Sequence, residues 1–160
     1  LHTGISPFPG TCSETEFTNP AGLESVIKRF DGTGEDGRVE FVLSHIGTAD
    51  AAATAASLEL ALSHDNVWLE LSALGQDMVR DENGAPSDVI GPQYPWILAQ
   101  LKEFGLINRT IFATDGPQFS GKIKSYLEEI ISSMDAANYS LEEKARVLSG
   151  SFYECFNLPQ

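Results

Sequence analysis

The sequence predicts an α/β fold of parallel strands with four βα units, half of a (β/α)8 TIM barrel. Short apolar runs rich in Val, Phe and Leu alternate with longer amphipathic stretches, and such alternation means parallel strands joined by right-handed helical crossovers. The pattern occurs four times in 160 residues, a mean unit of 40 (160 divided by four). Eight such units make roughly 320 residues, within the range of that barrel. Apolar residues are 42% and charged residues 21% of the chain, the composition of a sequence that packs a core.

Leu1-His2-Thr3-Gly4 reads as the last residues of a strand. Pro20 to Phe30 is a helix with Leu23, Val26, Ile27 and Phe30 on one face. After the loop signals of Asp31 to Gly37, Val39 to His45 is a buried strand. Thr48 to Ser63 is an Ala- and Leu-rich helix with Thr48 at its N-cap, ending before His64-Asp65-Asn66. Asn66 to Leu74 is the third strand. Gly75 to Pro95, holding Gly84, Pro86, Gly91 and Pro92, is a loop of a length that usually serves function. Trp96 to Phe104 is a short helix closed by Gly105. Thr110 to Asp115 is the fourth strand, broken by Gly116-Pro117. Lys122 to Ala137 carries Ile123, Leu127, Ile130, Ile131 and Met134 at helical spacing. Ser140 and Glu143 form a capping box that starts a last helix running to about Leu148.

Ten Lys and Arg stand against 23 Asp and Glu, a net charge of −13. Phosphate and anionic lipid reward clustered cations, so nucleic acid and membrane are not expected partners. The longest apolar stretch, Ala49 to Leu62, is interrupted by Asp50, Thr54 and Glu59, so no segment is expected to span a bilayer. Cys12 and Cys155 lie too far apart for a disulfide framework or a CxxC metal knuckle, which points to reduced thiols in a cytoplasmic protein. The opening residues have no initiator Met, basic n-region or apolar h-region, so residues upstream of Leu1 are expected.

Ligand sites of parallel α/β folds lie at the C-terminal ends of the strands. Three of the four ends carry a side chain able to bind metal: His2, His45 and Asp115. The third histidine, His64, falls in a helix-to-strand connection on the opposite rim. A strand-end His or Asp taken singly is more often a capping or hydrogen-bonding residue; three together weaken that explanation. Ser72 ends the third strand on the same face as Glu70, and is either a substrate contact or a polar interior residue. Trp68 and Trp96 are expected to anchor packing, and Glu128-Glu129 and Glu142-Glu143 to be solvated helix faces. Gly116 to Lys122 matches GxxxxGK of a phosphate-binding loop, but Ile123 stands where a hydroxyl should hold Mg²⁺. Gly32 to Gly37 matches GxGxxG but follows a helix and precedes a strand, so it is a surface turn. The sequons at Asn108 and Asn138 are too common to weigh against a cytoplasmic location.

The ordered series LHTG, FVLSHIG, NVWLELSAL, IFATDGP and LEEKARVLSGSFYECFNL resembles the C-terminal half of an amidohydrolase-superfamily barrel, across essentially all 160 residues. It is most similar to the amidohydrolase-related branch of metal-dependent hydrolases and aminocarboxymuconate-semialdehyde-type decarboxylases. The resemblance implies that His2 is a metal ligand, that His45 completes a second metal position or orients and deprotonates a metal-activated water, and that Asp115 is a ligand or general base. The implied cofactor is a divalent metal, Zn²⁺ first, which lowers the pKa of a bound water to ~7. The implied activity is hydrolysis, or non-oxidative decarboxylation as a lyase, of a small carboxylated or cyclic substrate.

The family's first ligand pair, His-x-His, is absent from the chain, and Gly150-Ser151 stands where the family usually has Gly-Asn. Serine can also cap a helix there. Residues 1–160 are therefore expected to be the C-terminal half of the barrel, with the N-terminal half absent and the isolated chain inactive. The missing half, or a second copy, is the expected macromolecular partner. A catalytically inactive half-barrel that associates through exposed sheet edges is the alternative, and a P-loop-like nucleotide binder ranks below it.

Overall fold

β2 (Phe41–Thr48) is the central strand of the first unit, paired in parallel with β1 (His2–Gly4) on one side and β3 (Val67–Glu70) on the other. The structure, a computed structural model, describes residues 1–4, 15–48, 50–74, 94–116 and 121–159, in two units, Leu1–Glu70 and Leu71–Gln160. The β2–β3 ladder runs without interruption from Phe41 opposite Val67 to Ser44 opposite Glu70. The β1–β2 ladder does not: His2 faces Ser44 and Gly4 faces Thr48, so two steps along β1 cover four along β2. β2 therefore bulges between Ser44 and Thr48, and runs three residues past the expected strand end at His45.

The helices of this unit are α1 (Thr15–Thr18), α2 (Glu24–Arg29) and α3 (Ala51–Ser63). α3 packs on β2 and β3, and Ile27, Leu43, Ala53, Ala61, Val67 and Leu69 are fully buried. The N-cap of α3 is Asp50, not Thr48: its Oδ1 accepts from the Ala52 and Ala53 N–H groups at 2.9 and 3.2 Å. Thr48 is kept in the bulged strand, and the carboxylate two residues later takes the cap. The expected helix from Pro20 to Phe30 is a 3-10 turn (Pro20–Leu23) followed by α2. Of its apolar face only Ile27 is fully buried, and Val26 is exposed. Asn66 Nδ2 lies 3.1 Å from each of the Ile27, Phe30 and Val39 carbonyls, tying the start of β3 to the end of α2 and to the approach to β2. The Gly32–Gly37 segment is the surface turn its context predicts: Asp31 Oδ1 accepts from the Thr33 N–H at 2.8 Å, and Arg29 pairs with Asp36 at 2.8 Å.

The second unit contains α4 (Tyr94–Glu103), β4 (Thr110–Ile111), α5 (Lys122–Ala136), α6 (Leu141–Ala145) and α7 (Ser151–Cys155). Leu71, which follows β3, donates its N–H to Ile111 O at 2.9 Å. α4 opens with Tyr94, whose hydroxyl donates to Leu71 O at 3.0 Å. It closes at Gly105 (φ 70°) with Gly105 N–H to Lys102 O and Leu106 N–H to Leu101 O, the paired bonds of a Schellman end. α4 and α5 pack together. The buried residues of α5 are Tyr126, Ile130, Ser133 and Met134, whereas Ile123 and Leu127 are exposed.

The Ser140–Glu143 capping box forms in full, with bonds of 3.1 and 2.7 Å. The helix it starts does not run on regularly. A π turn, Arg146–Gly150, separates α6 from α7, and its Val147 carbonyl accepts the Phe112 N–H at 3.0 Å. The fourth strand is correspondingly two residues rather than six, because beyond Ile111 a helical carbonyl replaces the strand partner. Ser151 does not cap: it is fully buried and its Oγ donates to Asn108 O at 3.2 Å.

Trp68 is a buried anchor whose Nε1 donates to Glu40 Oε2 at 2.7 Å, whereas Trp96, also expected to anchor packing, is 50% exposed. Glu143 is more than a solvated residue, since it also pairs with Lys102 at 2.9 Å. Cys155 is buried. Cys12, residues 75–93 of the expected long loop and residues 117–120 of the GxxxxGK segment lie outside the described residues. Among the described residues no helix is long and apolar enough to cross a membrane.

Candidate metal centre

In a regular strand His45 would point away from the face used by Ser44, and so away from His2, which sits opposite Ser44. The bulge removes that alternation. His45, Ile46 and Gly47 have φ of 70°, 44° and 73°, and the His2 and His45 rings meet edge-on, centroids 4.7 Å apart and planes at 68°. A left-handed conformation costs roughly 1–2 kcal/mol for an ordinary residue and is an outlier for a β-branched one such as Ile46. It persists only where the surroundings over-determine it.

Here they do. The His45 N–H donates to Glu70 Oε2 at 3.2 Å, and the His45 carbonyl accepts from Thr48 Oγ1 at 2.7 Å. Thr3 spans the bulge from β1, its hydroxyl donating to Ser44 O at 2.7 Å and accepting from the Gly47 N–H at 2.9 Å. Gly47 O takes bonds from Thr54 Oγ1 at 3.0 Å and from the Asp50 N–H at 2.9 Å. Glycine is required at 47 on two counts: its φ is positive, and a Cβ would lie 2.3 Å from Thr54 N and 2.4 Å from Ala53 C.

His45 is 7% exposed and His2 is exposed, so the pair has one side in the protein and one open. With Zn–N of ~2.0–2.1 Å and N–Zn–N angles of about 90–109°, two imidazoles on one zinc place their centroids roughly 4.5–5.2 Å apart. The observed 4.7 Å fits. Two imidazoles are fewer than the three protein ligands of a catalytic zinc, and among the described residues no three His, Cys, Asp or Glu come together for a metal.

The other expected site residues belong to the second unit. Asp115 lies past the end of β4 at φ 56° and is exposed. Ser72, just after β3, is 2% exposed. His64 stays apart from the His2–His45 pair, as its place in the chain predicts: it is the C-cap of α3, with Nε2 3.6 Å from the Glu24 carboxylate. Glu70 is the residue that pattern reading undervalues. Its signal is a carboxylate inside a strand buried at every position.

Parallel strands alternating with helices place the molecule among (β/α)8-barrel proteins, and the chain supplies about four βα units of that fold. The family model described as amidohydrolase matches residues 1–151, and the chain belongs to that family. A solved crystal structure of an amidohydrolase from Burkholderia multivorans with bound zinc is similar at a TM-score of 0.57 and 20% identity, over 88% of this chain and 50% of that one. At that identity the likeness shows the fold, and the chain spans about half the length of that structure. No protein of curated function matches in sequence.

Proposed function

We propose that the protein is a metal-dependent hydrolase acting on a small carboxylated or cyclic substrate, with His2 and His45 among the ligands of a zinc ion. The observation that carries this is the His2–His45 pair, two imidazoles on neighbouring parallel strands with ring centroids 4.7 Å apart. The zinc in the Burkholderia multivorans amidohydrolase supports the choice of metal. Zinc, when bound, supplies Lewis-acid polarisation and more acidic water.

The chain's own residues supply the rest. The bulge holds the His45 ring in place before any ligand arrives, so little ordering is left for binding. Asp115 is assigned the proton: an exposed carboxylate at a strand end can accept one at a carboxylate oxygen and return it to a leaving group. Ser72 is assigned a substrate contact, to be read as a raised KM with kcat retained in Ser72→Ala. The same residues serve non-oxidative decarboxylation, and product analysis distinguishes release of CO2 from hydrolysis.

The test is metal content and turnover of the protein carrying this chain, across a panel of small carboxylated and cyclic amides and esters. His45→Ala is expected to lose zinc and at least ~10²-fold in kcat/KM, and Asp115→Asn a similar factor in kcat with zinc retained. Unchanged turnover in both variants sinks the proposal. A metal-free, inactive assembly of this chain does so too, and leaves a half-barrel that associates through its sheet edges.

A further inference from the structure

We infer that Glu70 is a positioning residue for His45: by accepting the His45 backbone N–H, its carboxylate holds the left-handed turn that brings the His45 ring to His2. The inference deepens the proposed metal-binding role of that pair and rests on it.

The register shows why a side chain is needed. The β2–β3 ladder ends at Ser44 opposite Glu70. His45 is the next residue along β2, and β1 does not pair again until Thr48. The His45 N–H thus falls between two ladders in a buried stretch of backbone, where an unbonded donor costs about 1–3 kcal/mol. Glu70 Oε2, 3.2 Å away, takes it. An apolar residue would suit a strand buried at all four positions better, because burying a carboxylate is costly unless it is bonded. At 7% exposure Glu70 carries that cost, and it accepts a bond from the backbone of a proposed ligand.

Residues that orient a metal ligand normally act on the far nitrogen of its ring. Glu70 acts on the main chain, and so governs which face of the sheet the ring takes. Thr48 bonds the His45 carbonyl, and Thr3 bonds the flanks of the bulge at Ser44 O and the Gly47 N–H.

Two conservative variants separate reach from charge. Glu70→Gln keeps an oxygen acceptor at the same reach and removes the charge; Glu70→Asp keeps the charge and withdraws the oxygens by about 1.5 Å. The readouts are hydrogen exchange of the His45 amide and the Zn²⁺ dissociation constant by competition titration. The expected pattern is a protected amide and zinc affinity within about three-fold of the parent in Glu70→Gln. In Glu70→Asp exchange is at least ten-fold faster and zinc binding about 10–100-fold weaker. The inference is overturned if both variants behave like the parent, if both lose protection, or if Gln loses what Asp keeps. Should Glu70→Asp not fold, amide protection in Glu70→Gln decides alone, its loss counting against the inference. If the parent binds no zinc, the proposed function falls, while amide exchange still reports whether Glu70 holds His45.

Discussion

β2 and the segment that follows β4 each present a residue suited to chemistry in a left-handed conformation, one buried and the other exposed. His45, at φ 70°, is buried, with Glu70 on its N–H and Thr48 on its carbonyl, and with Thr3 and Thr54 fixing the flanking backbone. Asp115, at φ 56°, is exposed and is followed by Gly116 at φ 83°, where an added Cβ would meet nothing within 4 Å among the described residues. One site surrounds the backbone of its residue with bonds from three other elements, and the other presents its residue at the surface. The division suits the assigned roles. A metal ligand gains from a rigid position, whereas a carboxylate that takes up and returns a proton must reach two atoms in turn.

The contrast is sharpest at the glycines. Gly47→Ala should be the most damaging single substitution, because the new Cβ would overlap Thr54 N and Ala53 C of α3, backbone atoms that have no rotamer to move into. A loss of ~4 kcal/mol or more, or failure to fold, is expected in urea denaturation. A stable Gly47→Ala protein would mean that the bulge can relax, and the rigidity attributed to it would be lost.

Thr3→Val comes next. It preserves shape but strips the hydroxyl that bonds both Ser44 O and the Gly47 N–H, leaving two buried backbone groups to find other partners. A cost of about 2 kcal/mol is expected. Faster exchange should be confined to amides near the bulge; if amides near β4 respond equally, the two ends are not independent.

Much of this architecture is legible in the residues, and the parts that are not share a cause. Strand and helix order follows from hydrophobic period, and the Ser140–Glu143 box and the Gly105 stop follow from local chemistry that needs no tertiary partner. His2 and His45 stand out as two of only three histidines in the chain. The bulge does not stand out, because nothing in Ser-His-Ile-Gly announces three successive positive φ values, least of all at a β-branched isoleucine. That conformation is imposed by Thr3, Thr54 and Glu70, which come from three other elements. The cap at Asp50, the exposure of Trp96 and the π turn at Arg146–Gly150 are likewise decided by what packs alongside.

Gly116→Ala tests the other side of the comparison with a smaller effect. Among the described residues only the left-handed backbone opposes it, so about 1 kcal/mol is expected, with folding intact and Asp115 still at the surface. A loss as large as that of Gly47→Ala would show the β4 end to be as constrained as the β2 end.

The smallest expected effect is a response to acid at the β4 end alone. The Lys102 ammonium, with the Ser140 N–H, holds the Glu143 carboxyl below its ordinary value. A depressed carboxylate contributes stability that is present above its unfolded pKa, about 4.3, and is lost as pH falls through the lower folded value. Lys102 of α4 and the Tyr139 hydroxyl, itself held well above its usual range mainly by burial and then by Glu143, are the charged or titrating groups facing it in the described interactions. Protonation removes the Lys102 pairing and weakens the start of α6, which leads into the π turn that holds Phe112 through Val147. The Phe112 amide should therefore lose protection as pH falls below the unfolded carboxylate value, about 4.3, and through the lower folded one, while the Gly47 amide keeps it. Glu143→Gln, which retains an acceptor for the Ser140 N–H but not the charge, should abolish that acid step. If the step persists in the Gln variant, its origin lies in another carboxylate. If the Gly47 amide opens in step with Phe112, the two strand ends respond as one, and the distinction drawn between them does not hold in solution.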